Sequence, residues 1–236
     1  MATKRVSSTS RAPSVRDRVT GALRDDILSG EFVPGQRLSE AELCAHLDAS
    51  RTSVREALRQ LEAERLIEIQ PHRGPSVARL EWEDAAQIYD VRELIEPEVV
   101  RLFAANATPE QLAAMTDALK LFEDAISDGV DQHMLIQSTT AFYDLIFEGC
   151  SNTILVEILR GLRARINLLR SRSMSHAERP RQSLDEMGRI LKAIAAGDIV
   201  EAQQAARDHI RNARSYAQSA MSTKSTRKAG PRAAKG

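Results

Sequence analysis

The stretch "SRTSVREALRQLEAERL" (Ser50–Leu66) carries two periodic signals at once. Val54, Ala57, Leu58 and Leu61 recur at i, i+3, i+4 and i+7, one apolar face of a helix. Arg51, Arg55 and Arg59 recur every fourth residue, so at about 3.6 residues per turn each is displaced by only ~40° from the last. Such a stripe is either a solvated surface or a contact for a polyanion, and the flanking sequence decides between them.

Upstream, a helix is expected to begin after Pro13 with Ser14 as its cap, to place Val15, Val19, Leu23 and Ile27 on one face, and to stop at Ser29-Gly30. "EFVPGQR" is a turn, because Pro34 cannot continue a helix and Pro-Gly punctuates the chain. In "LSEAELCAHL", Ser39 and Glu42 have capping-box spacing, with Leu43 and Leu47 facing inward. "DAS" breaks that helix before the opening stretch forms the next. Downstream, "LIEIQ" alternates like a strand, "PHRGP" turns, and "SVARL" returns as the second strand of a hairpin. Three short helices and a two-stranded wing make a winged helix-turn-helix. Its second motif helix enters the DNA major groove N-terminus first, which puts Arg51, Thr52, Ser53 and Arg55 at the base edges.

From Trp82 onward the pattern is helical. Ile88, Val91, Leu94, Ile95, Val99 and Leu102 share one face, and Thr108-Pro109 is a cap followed by a first-turn proline. Further helices fit 131–148, 152–171, 179–196 and 198–217, with no strand among them. The expected fold is therefore mainly α. A winged helix-turn-helix occupies 13–80 and an all-α bundle 81–217, between disordered basic segments at 1–12 and 218–236.

The net charge of zero hides an asymmetry: +2 over residues 1–80, −7 over 81–217 and +5 over the last 19. No run of 18 apolar residues spans a membrane, and the basic N-terminus lacks the apolar stretch of a secretory signal. Two distant cysteines, Cys44 and Cys150, fit a reducing cytoplasm better than a disulfide framework.

From "VRDRVTGALRDDILSG" through "SRTSVREALRQLE" to the wing "PHRGPSV", the chain resembles the GntR family of bacterial transcription regulators. "YDVRELIEP", "FYDLIFEGCSN" and "AIAAGDIVEAQQAARDHI" are similar to the FadR-type, FCD-class C-terminal domain. The resemblance implies a homodimeric regulator, expected to be a repressor. It would bind an inverted-repeat operator on double-stranded DNA and be controlled by a small-molecule effector, expected to be an organic acid. It also implies that Arg51 and Arg55 contact operator bases and phosphates and that Arg73 and Gly74 lie along the minor groove. Arg59, one turn on, is expected as a phosphate contact or a surface charge. Arginine can grip guanine O6 and N7 bidentately, and Thr or Ser hydroxyls suit phosphate oxygens. Ala41 stands where relatives often have arginine, so one contact is missing.

Many relatives hold a divalent metal through an Asp, a His four residues later and two more histidines. Here those positions are Thr139, Tyr143, Met187 and His209, and one histidine cannot replace four ligands. No metal or other cofactor is expected. Tyr143 and His209 would offer polar tips to an effector, Met187 with Thr139 the adjoining wall, and Arg92, Arg163 or Arg165 a partner for an anion. The structural alternative is that Arg92 pairs with Glu93 and that Arg160, Arg163 and Arg170 form a solvated face. The alternative of a DNA-binding head on an all-α enzyme lacks a phosphate loop, a metal cluster or a nucleophile motif. A sequence-independent nucleic-acid binder fits poorly with so short and specific a recognition helix.

Overall fold

The computed structural model describes residues 14–129 and 131–228. The expected arm at 1–12 and the last eight residues lie outside these.

The head is built from three helices, α1 (Val15–Ser29), α2 (Glu40–His46) and α3 (Arg51–Ala63), and one hairpin. Its strands β1 (Ile67–Gln70) and β2 (Gly74–Val77) pair antiparallel, with Ile67 opposite Val77 and Gln70 opposite Gly74. Ser14 closes a full capping box with Asp17, and Gly30 ends α1 at φ +91°. Capping of this kind contributes about 1 kcal/mol. Val19, Leu23, Ile27, Leu43, Val54, Ala57, Leu58 and Leu61 form the head core.

Three local expectations change. Val15 is exposed, because the first turn of α1 overhangs that core. Ser39 starts α2 through its backbone carbonyl, which accepts from Leu43 N–H at 2.9 Å, but its hydroxyl makes no cap. β2 begins at Gly74 rather than Ser76, since Gly74 takes the φ of +74° that turns the chain out of the loop.

The bundle consists of α4 (Trp82–Ala104), α5 (Pro109–Ser127), α6 (Gln132–Gly149), α7 (Thr153–Met174), α8 (Arg179–Ala195) and α9 (Ile199–Lys228). Thr108 and Gln111 close the capping box of α5. Helix α9 continues past residue 217, with Ala217 buried and Met221 packed against the cluster that Tyr89, Ile166 and Leu169 belong to, so the boundary drawn there does not hold. On α4 the buried stripe is Ala85, Ile88, Tyr89, Arg92, Glu96, Val99, Val100 and Phe103. That stripe is rotated away from the apolar reading: Leu94 is 78% exposed, while a charged pair takes the inner positions. The head is seated on the bundle through Ile136, Ala164 and Leu168, which join its core.

Candidate DNA interface and buried polar site

Helix α3 is held at its N-terminus by Ser50, whose hydroxyl accepts from Ser53 N–H at 3.2 Å. Its inner face is pinned by Val54, Ala57, Leu58 and Leu61, so the opposite face must look outward. Arg51, Thr52, Arg55 and Arg59 are exposed and Ser53 is half-buried. Free N–H groups and the positive end of the helix dipole favour phosphate at this end. Arg55 is not idle: its Nε donates to both Glu40 oxygens, at 3.0 and 2.9 Å. This contact raises the guanidinium's pKa further above its ordinary value and lowers that of Glu40.

At the wing, Arg73 is exposed beside Gly74. Arg37 donates to the Arg73 carbonyl and bridges to Ser76, bracing the turn from the α1–α2 loop. The sequence reading passed over Arg37, which lies in a segment recognised only as a turn.

Inside the bundle, charged residues sit on the buried stripes of four helices. Arg92 is 1% exposed and is clamped by Glu96, with Nε donating to Oε1 at 2.6 Å. It does not pair with Glu93, which receives Arg211 instead. Burial opposes the Arg92 charge, yet the Glu96 carboxylate holds its pKa above the ordinary value.

Arg170 on α7 is 7% exposed rather than part of a solvated face, and its guanidinium lies 5.1 Å from the centre of the Tyr143 ring. Its Nη1 donates to Asn167 Oδ1 at 2.9 Å and Thr140 Oγ1 at 3.3 Å, both neutral. Burial, then the nearby Arg92, push its pKa down to about 10.

Arg179 on α8 is fully buried, with Nη1 2.8 Å from Glu186 Oε2 but not aligned for a hydrogen bond. His209 Nδ1 is 2.7 Å from the same oxygen, and Asn212 donates to the other at 2.7 Å. A carboxylate partner fixes the imidazole proton on Nδ1. Arg179 Nη2, 3.4 Å from that nitrogen, therefore meets no lone pair. Burial lowers the pKa of His209, against the opposing pull of Glu186.

Of the expected effector residues, the structure brings Arg92, Tyr143, Met187 and His209 into this interior, with Thr139 one turn before Tyr143 on α6. The Tyr143 and His209 rings are 6.1 Å apart. The Thr139 hydroxyl donates to Leu135 O at 2.7 Å. Arg163 is a correction: it is 38% exposed and grips Asp144 with both Nη atoms. Arg170, Arg179, Glu96 and Glu186 were missed. The signal was present, since Arg179 and Ser183 extend the Met187–Ile190–Ile194 stripe backwards at helical spacing.

Among known proteins, residues 15–77 match the family described as bacterial regulatory proteins, gntR family, and residues 87–212 match the FCD domain. The chain belongs to the GntR family. This regulator is 30% identical to the Nta operon transcriptional regulator of Aminobacter aminovorans, over 64% of its own length and 73% of that protein. It is 29% identical to the galactonate operon transcriptional repressor of Escherichia coli, over 80% and 91%. A crystal structure of a GntR transcriptional regulator from Rhodococcus superposes with a TM-score of 0.71 at 28% identity, covering 86% of this chain and 97% of that one. The GntR chain is thus a DNA-binding transcription regulator, not an enzyme, and its FCD domain is the effector-binding part.

The metal of many FCD relatives does not fit this regulator. Thr139 spends its proton on a backbone carbonyl, Met187 is a thioether, and the Nδ1 edge of His209 is taken by Glu186. A buried guanidinium, Arg179, already stands 3.4 Å from His209. Among the described residues no three His, Cys, Asp or Glu side chains are grouped to hold a metal.

Proposed function

We propose that this regulator acts in the cytoplasm as a homodimeric repressor. It reads an inverted repeat through Arg51, Thr52, Ser53, Arg55 and Arg59, with Arg73 and Gly74 of the wing beside them. A two-fold dimer suits a two-fold operator. Repression is relieved when a small organic acid binds among Arg92, Thr139, Tyr143, Met187 and His209. Arg163, committed to Asp144, is outside that reading.

The observation that carries this is the polar interior beneath the head. Three buried arginines are set against two carboxylates, with donors of Arg92, Arg170 and Arg179 left unpartnered. The galactonate operon repressor among its relatives supports an acid as the effector class. A route to the head also exists: Arg170 bonds Thr140 and Asn167, and these line a cavity of about 260 Å³ shared with Arg24, Asp25 and Leu28 of α1. A ligand that draws on Arg170 would alter that seam, and coupling requires only that it bind one arrangement of the heads better than the other.

The test is fluorescence anisotropy of the full chain on a labelled duplex from upstream of its own gene. Saturable binding at least tenfold tighter than to scrambled DNA, weakened by an acid metabolite, is the expected result. Equal affinity for both duplexes, steep in salt, would instead mark backbone-only binding.

A further inference from the structure

Residues 78–81 link the head to the bundle, between the end of β2 and the start of α4. Leu80 packs against both the head core and the cluster shared by α4, α7 and α9. Beside this link, head and bundle enclose a cleft of about 400 Å³, which adjoins a second of about 100 Å³ across Leu80 and Leu168. Four arginines line the pair: Arg65 from the end of the recognition helix, Arg79 from the link, and Arg165 and Arg172 from α7.

Among the described residues, none of the four side chains makes an ion pair or a hydrogen bond. Arg165, expected as a partner for an anion within the bundle, lines this cleft instead. It and Arg172 are half-buried on one face of α7, seven residues and about 10 Å apart. Burial, then the positive charge of Arg65, hold the pKa of Arg165 below its ordinary value against the pull of Asp84, and burial lowers that of Arg172. Arg79 lies under the Pro34-Gly35 turn, where a Cβ on Gly35 would collide with its guanidinium. The carboxylates that also line the space, Glu62, Glu68, Glu81 and Asp84, are exposed and keep their water. The groups that have lost solvent without gaining a partner are cations, Arg165 and Arg172.

Going beyond the effector reading, we propose that this seam is a second binding site, for a small molecule carrying two phosphoryl groups. One phosphoryl group would sit among Arg65, Arg79 and Arg165 in the wider cleft, and the other would reach Arg172 in the narrower one. A carboxylate presents two oxygens in one plane and is filled by a single guanidinium fork, whereas a phosphoryl group offers three acceptor oxygens to several. Leu80 and Leu168 give the carbon skeleton an apolar wall between the two anions. The site is turned away from the DNA-reading end: Arg65 follows the C-terminus of α3, about 18 Å from Arg51, and half of the lining belongs to the bundle. A ligand held by head, link and α7 together would fix the angle between head and bundle. It would change operator affinity to the extent that DNA selects a different angle.

The test is isothermal titration calorimetry, with parallel thermal shifts, of the full chain in EDTA. Fructose 1,6-bisphosphate and ADP are compared with inorganic phosphate, citrate and adenosine. The variants are Arg165→Gln, Arg165→Lys and Arg172→Gln, with Arg160→Gln, exposed on the same helix outside the cleft, as control.

Saturable binding of fructose 1,6-bisphosphate or ADP, tighter than that of phosphate or citrate, is the expected result. Arg165→Gln and Arg172→Gln should each weaken it about tenfold or more, and Arg165→Lys should recover part of the loss, since the charge survives without the fork. Arg160→Gln should bind as wild type does. Both Gln variants should keep or raise the Tm of the free protein, because a half-buried cation without a partner adds no stability. If both lower Tm and still bind the probe as wild type does, the arginines are structural and the proposal fails. Citrate binding as tightly as the phosphorylated probes overturns the phosphoryl assignment. Weaker binding of Arg172→Gln to random duplex, with no probe present, would make the cleft a DNA contact and overturns the proposal too. Neither heat nor a Tm shift with either phosphorylated probe overturns it while leaving the acid site of the bundle interior standing.

Discussion

Arg55 on the recognition helix α3 holds the Glu40 carboxylate of α2 with its Nε, at 3.0 and 2.9 Å from the two oxygens. A guanidinium proposed to reach DNA is thus already engaged, by a group whose charge repels phosphate. The pair is exposed, so it exchanges readily with solvent and with competing anions. On the proposed reading of α3, binding an operator would trade Glu40 for a base edge or a phosphate.

Removing the competitor should therefore help. Glu40→Gln is expected to tighten binding to operator and to random duplex alike, because the lost repulsion is not sequence-specific. Anisotropy titrations at two salt concentrations check this. Unchanged affinity for both would show that Glu40 does not restrain Arg55.

Arg55→Ala should have the opposite and more selective effect. Loss of one base-reading arginine is expected to weaken operator binding by about five- to a hundredfold and to relax preference at one base pair. Titration against single-base operator variants reads this directly. An equal loss on random DNA would assign Arg55 to phosphate alone.

The buried His209 predicts a pH dependence. Burial holds its pKa below the ordinary 6.5, with Glu186 pulling the other way. The folded state thus resists protonation more than the unfolded chain does. Stability is fully present above about pH 6.5 and is lost as pH falls below it, with a slope of at most about 1.4 kcal/mol per pH unit. Glu186 is half-buried, which opposes its charge, but His209 and Arg179 bring its pKa below 4.5, so its contribution is lost in a separate, more acidic window. Thermal denaturation between pH 7.5 and 5 should show wild type losing Tm faster than His209→Gln. Parallel curves would contradict a neutral His209.

Gly149 at the end of α6 marks a close approach. A Cβ there would stand 2.5 Å from the ring of the buried Phe103 and 2.7 Å from Gln111 Nε2. Gly149→Ala should cost about 1–3 kcal/mol through overpacking, lowering Tm by roughly 2–4 °C for each kcal/mol. A Tm equal to that of wild type would mean that Phe103 has room to swing aside.

Much of the head could be read from residues 14 to 77 because its signals are local. The Ser14 cap, the Gly30 stop, the apolar repeat of Ser50–Leu66 and the turn before Gly74 each act within a few residues. The same locality explains the misjudged details. Ser39 has capping-box spacing, but whether its hydroxyl is used depends on how α2 meets its surroundings. Leu94 fits an apolar period, yet α4 turns it outward because Arg92 and Glu96 satisfy each other inside.

By itself, the sequence determined the helices, the wing and the outward arginine face of α3, which follow from periodicity and turn chemistry. That Thr139, Tyr143 and Met187 stand at the metal-ligand positions of relatives is what the family resemblance implies. Only the tertiary structure decided which charges meet: Arg92 with Glu96, Arg163 with Asp144, Arg179 and His209 on one Glu186, and Arg170 with no carboxylate. A charged residue on a helix can be solvated, paired or buried at the same sequence spacing. Which of these occurs depends on the helix packed against it, often more than twenty residues away.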